Sequence, residues 1–317
     1  MRTTVRRLVG YTFALAMLFF LGRVLYQTWG DLAASGFAFT FRLPELVASL
    51  LLLVLGRLLA VEAWRRILMA LGERLGFISA VQVWFLSNLA RYVPGNIWQV
   101  AAMVALVEAE GVGKANAVLG QAMYLVIALC IAGLAGVLLL LTSPQMLPGL
   151  APAVQPESGG GWVVVVALAF GTLLLLLALP SVYRLIAAGM GRVARRQVTA
   201  PTLTVRQGLL PPVLSAAMWL LQGTAFYLFV SSVTDTAPTQ LPSFVAANAA
   251  AYLIGYVSFI TPSGLGFREG ALALMLAQYF PTPLAVALSL LTRLWSTVGE
   301  LLGGVFLLWP RDVTGRR

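Results

Sequence analysis

One short segment combines arginine, proline, glycine and amide side chains inside otherwise apolar sequence. It contains Arg91, Pro94, Gly95, Asn96 and Gln99. Proline cannot donate a hydrogen bond to the carbonyl four residues back and glycine tolerates positive φ, so we predict that one helix ends here and another begins. Asn96 would cap the new helix, with Gln99 at the N3 position of a capping box. The free N–H groups of this helix start and the nearby Arg91 would suit an anion.

A second segment repeats the arrangement, with a proline, small residues and then an arginine beside a glutamate. It contains Thr261, Pro262, Ser263, Gly264, Gly266, Arg268 and Glu269. Pro262 would end one short helix, and Ser263 or Gly266 would cap the next. Arg268 and Glu269 would lie in the first turn of that next helix. The segment therefore predicts a second helix start that presents positive charge.

Both arginines lie in apolar sequence, so a partner must offset the cost of burying them. An arginine within a bilayer costs at least about 2.5–3.5 kcal/mol on insertion scales. A phosphate suits such a site because arginine donates paired charge-assisted hydrogen bonds and a helix start adds N–H donors. The alternative is that the breaks are packing kinks and that Arg268 pairs with Glu269 or Glu300. Two similar breaks, each with an arginine, favour a binding site.

Other charged residues fall within or near the ends of apolar runs. Arg293 and Glu300 are seven residues apart in the last run, which places them on one helical face. They would either contact the ligand or form salt bridges between helices, and the sequence leaves both alternatives open. Arg57 and Glu62, near the end of an earlier run, are expected to extend to the membrane surface or to be paired.

The composition indicates that lipid is the solvent of this chain. Of its 317 residues, 60% are hydrophobic and 10% are charged, against about 25% charged in soluble domains. There is no histidine, which excludes histidine-based catalysis and histidine metal sites, and there is no Asp-x-x-Asp motif of the kind that a metal-dependent lipid-modifying enzyme would need. We therefore expect no enzyme activity, no metal and no cofactor. The net charge of +10 comes from arginines between apolar runs and predicts contact with anionic lipid, not with nucleic acid.

Six apolar runs are long enough to cross a bilayer core, which needs about 20 residues. They lie at about 8–27, 43–63, 115–141, 162–182, 208–232 and 285–308. The two proline–glycine segments interrupt further apolar regions at about 78–108 and 244–280. The fold class predicted is therefore an all-α integral membrane protein, with about six spanning helices plus two re-entrant broken-helix hairpins. Tryptophans near the predicted surfaces are interpreted as belt residues: Trp29, Trp84, Trp162 and Trp309.

The distribution of basic residues orients these segments. If both broken regions enter and leave on the same side, most of the 21 basic residues fall inside and Arg42 alone falls outside. Both termini are then cytoplasmic. Residues 1–142 and 162–317 become two inverted halves of one membrane domain (1–317), joined by an external linker, 143–161. Inverted halves with interrupted helices are typical of transporters that hold substrate near the midplane. Full crossing by both broken regions is the alternative.

The segments 91–95 (RYVPG) and 261–269 (TPSGLGFRE) resemble the two hallmark segments of the lysylphosphatidylglycerol synthase transmembrane-region family. The resemblance covers nearly the whole chain. It implies a lipid flippase fold and assigns the leading roles to Arg268 and Glu269. In the full-length resistance factors of this family a soluble aminoacyl-transfer domain follows the membrane part. This chain stops at Arg317, so we expect that it does not aminoacylate lipid itself.

These observations together predict a flippase for an anionic or aminoacylated, phosphate-containing lipid, working through a midplane cavity in a bacterial cytoplasmic (inner) membrane. Glu269 or Glu300 would carry any coupling proton. A lipid-modifying enzyme of the membrane and an accessory subunit of a lipid synthase are the alternatives. Besides the lipid, the possible partners are a separate lipid synthase and further copies of the chain.

Overall fold

The computed structural model describes residues 23, 41–89, 97–142, 205–257, 264 and 266–305. Within these ranges there are helices and no strands, which confirms the all-α prediction. The eight α-helices among these residues are α1 (Leu43–Ala70), α2 (Phe77–Leu89), α3 (Ile97–Ala109), α4 (Lys114–Thr142), α5 (Val205–Val233), α6 (Leu241–Val257), α7 (Phe267–Leu276) and α8 (Thr282–Gly303). A short 3-10 turn, Pro238–Gln240, precedes α6.

Four of these helices are long and apolar enough to cross a membrane. They are α1, the Lys114–Val137 part of α4, the Gln207–Val233 part of α5, and α8. The chain is therefore a multi-pass membrane protein. The predicted spans at 8–27 and 162–182 and the linker at 143–161 lie outside the described residues. A total of six spans and the division into halves consequently stay predictions.

Each predicted broken region consists of two short helices. The first region gives α2 and α3, and the second gives α6 and α7, with residues 90–96 and 258–263 outside the description. At a rise of 1.5 Å per residue, a 13-residue helix such as α2 or α3 is about 20 Å long, which is shorter than a hydrocarbon core of about 30 Å. Neither α2 nor α3 alone would reach across a bilayer.

Helices α6 and α7 form an antiparallel hairpin. The end of α6 meets the beginning of α7, because a β-carbon placed on Gly255 would lie 2.7 Å from Cβ of Arg268. The beginning of α6 meets the residues after α7, where the rings of Phe244 and Tyr279 are 5.5 Å apart. Between these contacts, alanines of α6 pack against Met275. The hairpin returns the chain to the side from which it came, while its placement as re-entrant in a membrane stays a prediction.

The long helices pack in two directions. Helices α1 and α5 are antiparallel, since the Arg42 N–H at the start of α1 donates to the Ser232 carbonyl at the end of α5, at 2.8 Å. Helices α1 and α8 run the same way, because Ser49 contacts Trp295 and Leu53 lies against Gly299 further along both helices. The described helices show the same order of lengths twice. A long helix, two short helices and another long helix follow one another from α1 to α4 and again from α5 to α8.

Buried side chains form two large clusters, and an apolar stripe covers the outside. One cluster is centred on Trp64 and Met123, and the other on Phe226 and Phe244. Exposed apolar side chains follow α1 at four-residue spacing, as a lipid-facing helix surface requires: Leu43, Val47, Leu51 and Leu55. The interior between the two clusters is where polar side chains gather.

Candidate functional site

A cavity of about 130 Å³ lies between the two clusters, and each of the eight described helices contributes to its wall. Its polar lining residues are Arg57, Asn88, Gln99, Gln121, Gln222, Asn248, Arg268 and Ser296. Its aromatic lining residues are Trp84, Tyr124, Trp219, Tyr252, Tyr256 and Trp295. Polar side chains inside a membrane domain are costly and face the protein interior or a wet cavity, which is where these residues lie.

Arg268 reaches the cavity from the first turn of α7. The helix begins at the N-cap Gly266, whose φ of 83° suits glycine, and the Gly266 N–H donates to Glu269 Oε2 at 2.8 Å. The guanidinium carbon of Arg268 lies 5.9 Å from the centre of the Tyr252 ring, within the range of a cation–π interaction. Among the described residues, Arg268 forms no ion pair and donates no hydrogen bond. It therefore presents its charge to the cavity.

Two buried ion pairs hold the helices around Arg268. Arg293 of α8 bonds Glu269 of α7 at 2.7 Å, and both side chains are less than one tenth exposed. Arg57 of α1 contacts Glu300 of α8 at 3.0 Å and donates to the Ser296 carbonyl at 2.8 Å. Among the described residues, Glu269 and Glu300 therefore form their ion pairs with other arginines, and the predicted alternative of a pair with Arg268 is not observed. Arg293 and Glu300 thus join α8 to two other helices, α7 and α1.

The charges around the cavity do not cancel. Three guanidinium groups, of Arg57, Arg268 and Arg293, stand against two carboxylates, of Glu269 and Glu300. One excess positive charge remains among the described residues. Glu269 acts on Arg268 as a nearby opposite charge, whereas Arg293 and Arg57 act on it as like charges and repel it. An anion entering the cavity would relieve this repulsion.

The first broken region contributes amides to the same cavity. Gln99 Nε2 donates to Asn88 Oδ1 at 2.5 Å, which links the beginning of α3 to the end of α2. Helix α3 begins at Ile97, so Gln99 is its third residue. Arg91, Asn96 and Ser263 lie outside the described residues, and their predicted roles stay predictions.

The other predicted site residues divide into two groups. Gln99 and Arg268 line the cavity. Gly264, Gly266, Glu269, Arg293 and Glu300 lie behind the lining, in the turn before α7 or in the ion pairs. Gly264 has a φ of 66°, and any β-carbon on it would overlap the Gly255 backbone, so the close approach of α6 and α7 requires glycine here. These residues shape the site from behind its lining, and their predicted contact with a substrate stays a prediction.

Sequence reasoning missed several lining residues. Arg57 lines the cavity, and its pairing fits one of the two expectations for it, although the partner is Glu300 and not Glu62. Three of the missed residues are amides within apolar helices, namely Gln121, Gln222 and Asn248. Polar residues are rare in membrane helices unless they have a role, so their positions in the sequence could have indicated the cavity. Gln121 Oε1 is buried and has no hydrogen-bond partner among the described residues.

The belt interpretation of Trp84 is wrong. Its side chain is only 8% exposed, and its ring lies 5.8 Å from that of Trp64 and 5.0 Å from that of Tyr124. These contacts place the Trp84 side chain inside the protein and not at a membrane surface. Trp29, Trp162 and Trp309 lie outside the described residues.

The fold and the cavity define a class, that of multi-pass helical membrane proteins with an internal, positively charged cavity. The sequence model of one family, described as the lysylphosphatidylglycerol synthase TM region, matches residues 7–304, so the chain belongs to that family. Membership confirms the resemblance drawn from the two proline–glycine segments and ties the protein to membrane lipid. A search of curated protein sequences gives no significant match.

Proposed function

We propose that the protein is a lipid flippase that moves an anionic or aminoacylated, phosphate-containing lipid between leaflets through this cavity. The observation that carries the proposal is Arg268, which lines the cavity and forms no ion pair among the described residues. The family name connects its membrane region with lysylphosphatidylglycerol synthesis, and a lipid substrate follows from that connection.

The geometry of α7 supports a phosphate as the group bound. Arg268 is the second residue of the helix, so its guanidinium is near the free N–H groups and the positive end of the helix dipole. A phosphate beside such a start would receive both side-chain and backbone hydrogen bonds. It would also offset the burial of a cation that is costly in a membrane.

The arrangement of helices supports transport in preference to static binding. The antiparallel α1 and α5 stand at matching places in the repeated order of helices, as inverted halves require. The antiparallel α6–α7 hairpin agrees with a re-entrant segment. We extend the proposal to a bacterial cytoplasmic membrane location with both termini inside, and to a protein that has no enzyme activity of its own. A separate synthase would supply an aminoacylated substrate.

The test is the accessibility of lipid headgroups in vesicles that contain the purified protein. Fluorescent phosphatidylglycerol and fluorescent lysylphosphatidylglycerol are placed in one leaflet, and the fraction quenched from outside is followed in time. We expect the wild type to move at least one of them and Arg268→Ala to lose most of that rate. Arg66→Ala is the matched control, because Arg66 pairs with Glu62 near the end of α1 and does not line the cavity.

Equal rates for the wild type and Arg268→Ala would reject the assignment of the site. Absence of movement for every lipid tested would reject the flippase. Formation of a new lipid from phosphatidylglycerol and an activated donor by the pure protein would favour the enzyme alternative instead. Detergent gel filtration and thermal unfolding of each variant show whether a lost rate reflects a lost fold.

A further inference from the structure

The lining of the cavity is rich in hydrogen-bond donors and lacks acids. Among the described lining residues there are two guanidinium groups and five side-chain amides, but no carboxylate. A phosphate accepts hydrogen bonds only, so such a wall suits it. An ammonium group donates only and would find no charged acceptor there.

The nearest carboxylates are already engaged. Glu300 contacts Arg57 at 3.0 Å, and Glu269 binds Arg293 at 2.7 Å through one oxygen and the Gly266 N–H at 2.8 Å through the other. An ammonium group that approached either acid would compete with the arginine already paired with it. It would also be repelled by the excess positive charge of the cluster.

The aromatic rings do not form an open cage for a cation. The Tyr252 ring has Arg268 at 5.9 Å, and the rings of Trp219 and Tyr256 pack on it at 5.1 and 6.1 Å. Trp295 stacks on Phe229 at 5.2 Å. The guanidinium of Arg268 already occupies the cation–π position that a ligand ammonium would need.

The volume of the cavity limits the size of the chemical group that can enter it. About 130 Å³ is well below the roughly 300–1,000 Å³ of pockets that enclose a drug-sized ligand. The cavity therefore holds a headgroup and not the acyl chains. The amides of Gln121, Gln222 and Asn248 lie on the wall formed by α4, α5 and α6, and they suit neutral hydroxyl groups attached to the phosphate.

From these contacts we infer that the cavity selects a lipid phosphate with a neutral, hydroxyl-bearing headgroup and discriminates against a headgroup that carries an ammonium. This inference rests on the proposed function and narrows its substrate to the anionic class. Phosphatidylglycerol satisfies the requirement. Its lysyl ester, which adds two ammonium groups, does not.

The experiment measures binding and transport separately in the full-length protein. Binding of phosphatidylglycerol and of lysylphosphatidylglycerol is measured in detergent by native mass spectrometry, with glycerol phosphate and inorganic phosphate as competitors. We expect the wild type to favour phosphatidylglycerol by about tenfold or more, since even one of the two added ammonium groups near a cation would have this effect. Arg268→Gln should reduce this preference towards one, and Arg268→Glu should reverse it. Arg66→Gln should leave the preference unchanged.

The outcomes separate the inference from the proposed function. Selective binding of phosphatidylglycerol without movement of any lipid supports the inference and rejects the flippase. Movement of lysylphosphatidylglycerol as fast as phosphatidylglycerol, or equal binding of the two, rejects the inference and leaves the flippase standing. Displacement of the lipid by equimolar inorganic phosphate would show that a free anion is the ligand, and it would overturn the assignment to lipid. Equal phosphatidylglycerol binding by the wild type and by a folded Arg268→Gln protein would overturn the site itself.

Discussion

Glu269 binds Arg293 and not its sequence neighbour Arg268. One Glu269 oxygen accepts a hydrogen bond from Arg293 at 2.7 Å, and the other accepts one from the Gly266 N–H at 2.8 Å. A single carboxylate thus caps α7 and ties it to α8. Because that carboxylate is used twice, Arg268 keeps its charge available to the cavity.

We expect Glu269→Gln to destabilise the protein strongly. The substitution removes the carboxylate from Arg293, whose side chain is 8% exposed, and breaking a buried pair from one side costs about 3–5 kcal/mol. Glutamine can still accept from the Gly266 N–H, so the loss would come chiefly from the ion pair. Thermal unfolding in detergent measures the effect.

The control is an exposed pair of the same kind. Glu108 contacts Lys114 at 3.1 Å, but their side chains are 46% and 71% exposed, so Glu108→Gln should cost less than about 1 kcal/mol. Replacing Glu269 and Arg293 together by leucine should restore much of the stability, since an apolar pair needs no compensation. Equal losses for Glu269→Gln and Glu108→Gln would contradict the importance assigned to burial.

Exchanging the charges of the Arg57–Glu300 ion pair should distinguish its effect on stability from its effect on transport. The double substitution Arg57→Glu with Glu300→Arg keeps opposite charges in the contact between α1 and α8, so it should unfold at a higher temperature than Glu300→Arg alone. It also places a carboxylate at a lining position, where it would repel a phosphate. We expect transport of phosphatidylglycerol to fall sharply in a folded protein. Wild-type transport by the exchanged protein would exclude a role for the Arg57 charge.

The positions of the helices could largely be predicted because apolar runs and proline–glycine breaks are local signals. The helix itself extends beyond the apolar run predicted at about 43–63, since α1 continues to Ala70. The part beyond residue 63 carries two arginines next to buried apolar residues, and Glu62 bonds Arg65 at 2.7 Å and Arg66 at 2.5 Å there. Hydropathy detects the part of a helix in lipid and not the part beyond it.

The composition of the cavity could not be predicted in the same way. Arg57 and Ser296 meet across 239 residues of sequence, and no local pattern indicates such a contact. The choice of Glu269 between Arg268 and Arg293 depends on how α8 packs against α7. The sequence did indicate that Arg268 begins a helix and carries an uncommon charge, because the glycine N-cap and the glutamate three residues later are local features.

Gly264→Ala should prevent the close packing of α6 against α7. Gly264 has a φ of 66°, and an added β-carbon would overlap the backbone of Gly255, which cannot move aside without displacing α6. We expect a loss greater than the roughly 1–2 kcal/mol that a left-handed conformation alone costs an alanine. Thermal unfolding and the yield of folded protein measure it.

Two other glycines provide matched controls. Gly111 has a φ of 93° with open space around it, so Gly111→Ala should show the conformational cost alone. Gly270 lies within α7 with open space around it, and Gly270→Ala should be neutral or stabilising by up to about 1 kcal/mol. If Gly264→Ala were no worse than Gly111→Ala, the contact between Gly264 and Gly255 would not constrain the hairpin.

The geometry of the Arg268 guanidinium should matter as well as its charge. Arg268→Lys keeps the positive charge but replaces a planar fork by a single ammonium, which contacts a phosphate as a point charge and stacks less well on Tyr252. Arg268→Gln removes the charge and keeps a donor. We therefore expect the rate of phosphatidylglycerol movement to fall from wild type to lysine to glutamine. Initial rates in vesicles at equal protein content measure this order.

The order of rates identifies what the site recognises. A lysine protein as active as the wild type would mean that charge suffices and that paired hydrogen bonds add nothing. A glutamine protein as active as the lysine protein would mean that charge is irrelevant, which contradicts the role given to the excess positive charge around the cavity. Higher ionic strength should not remove the difference between lysine and glutamine, because partly buried charges are screened far less than exposed ones. A difference that disappeared in high salt would place the contact at the membrane surface and not in the cavity that α7 enters.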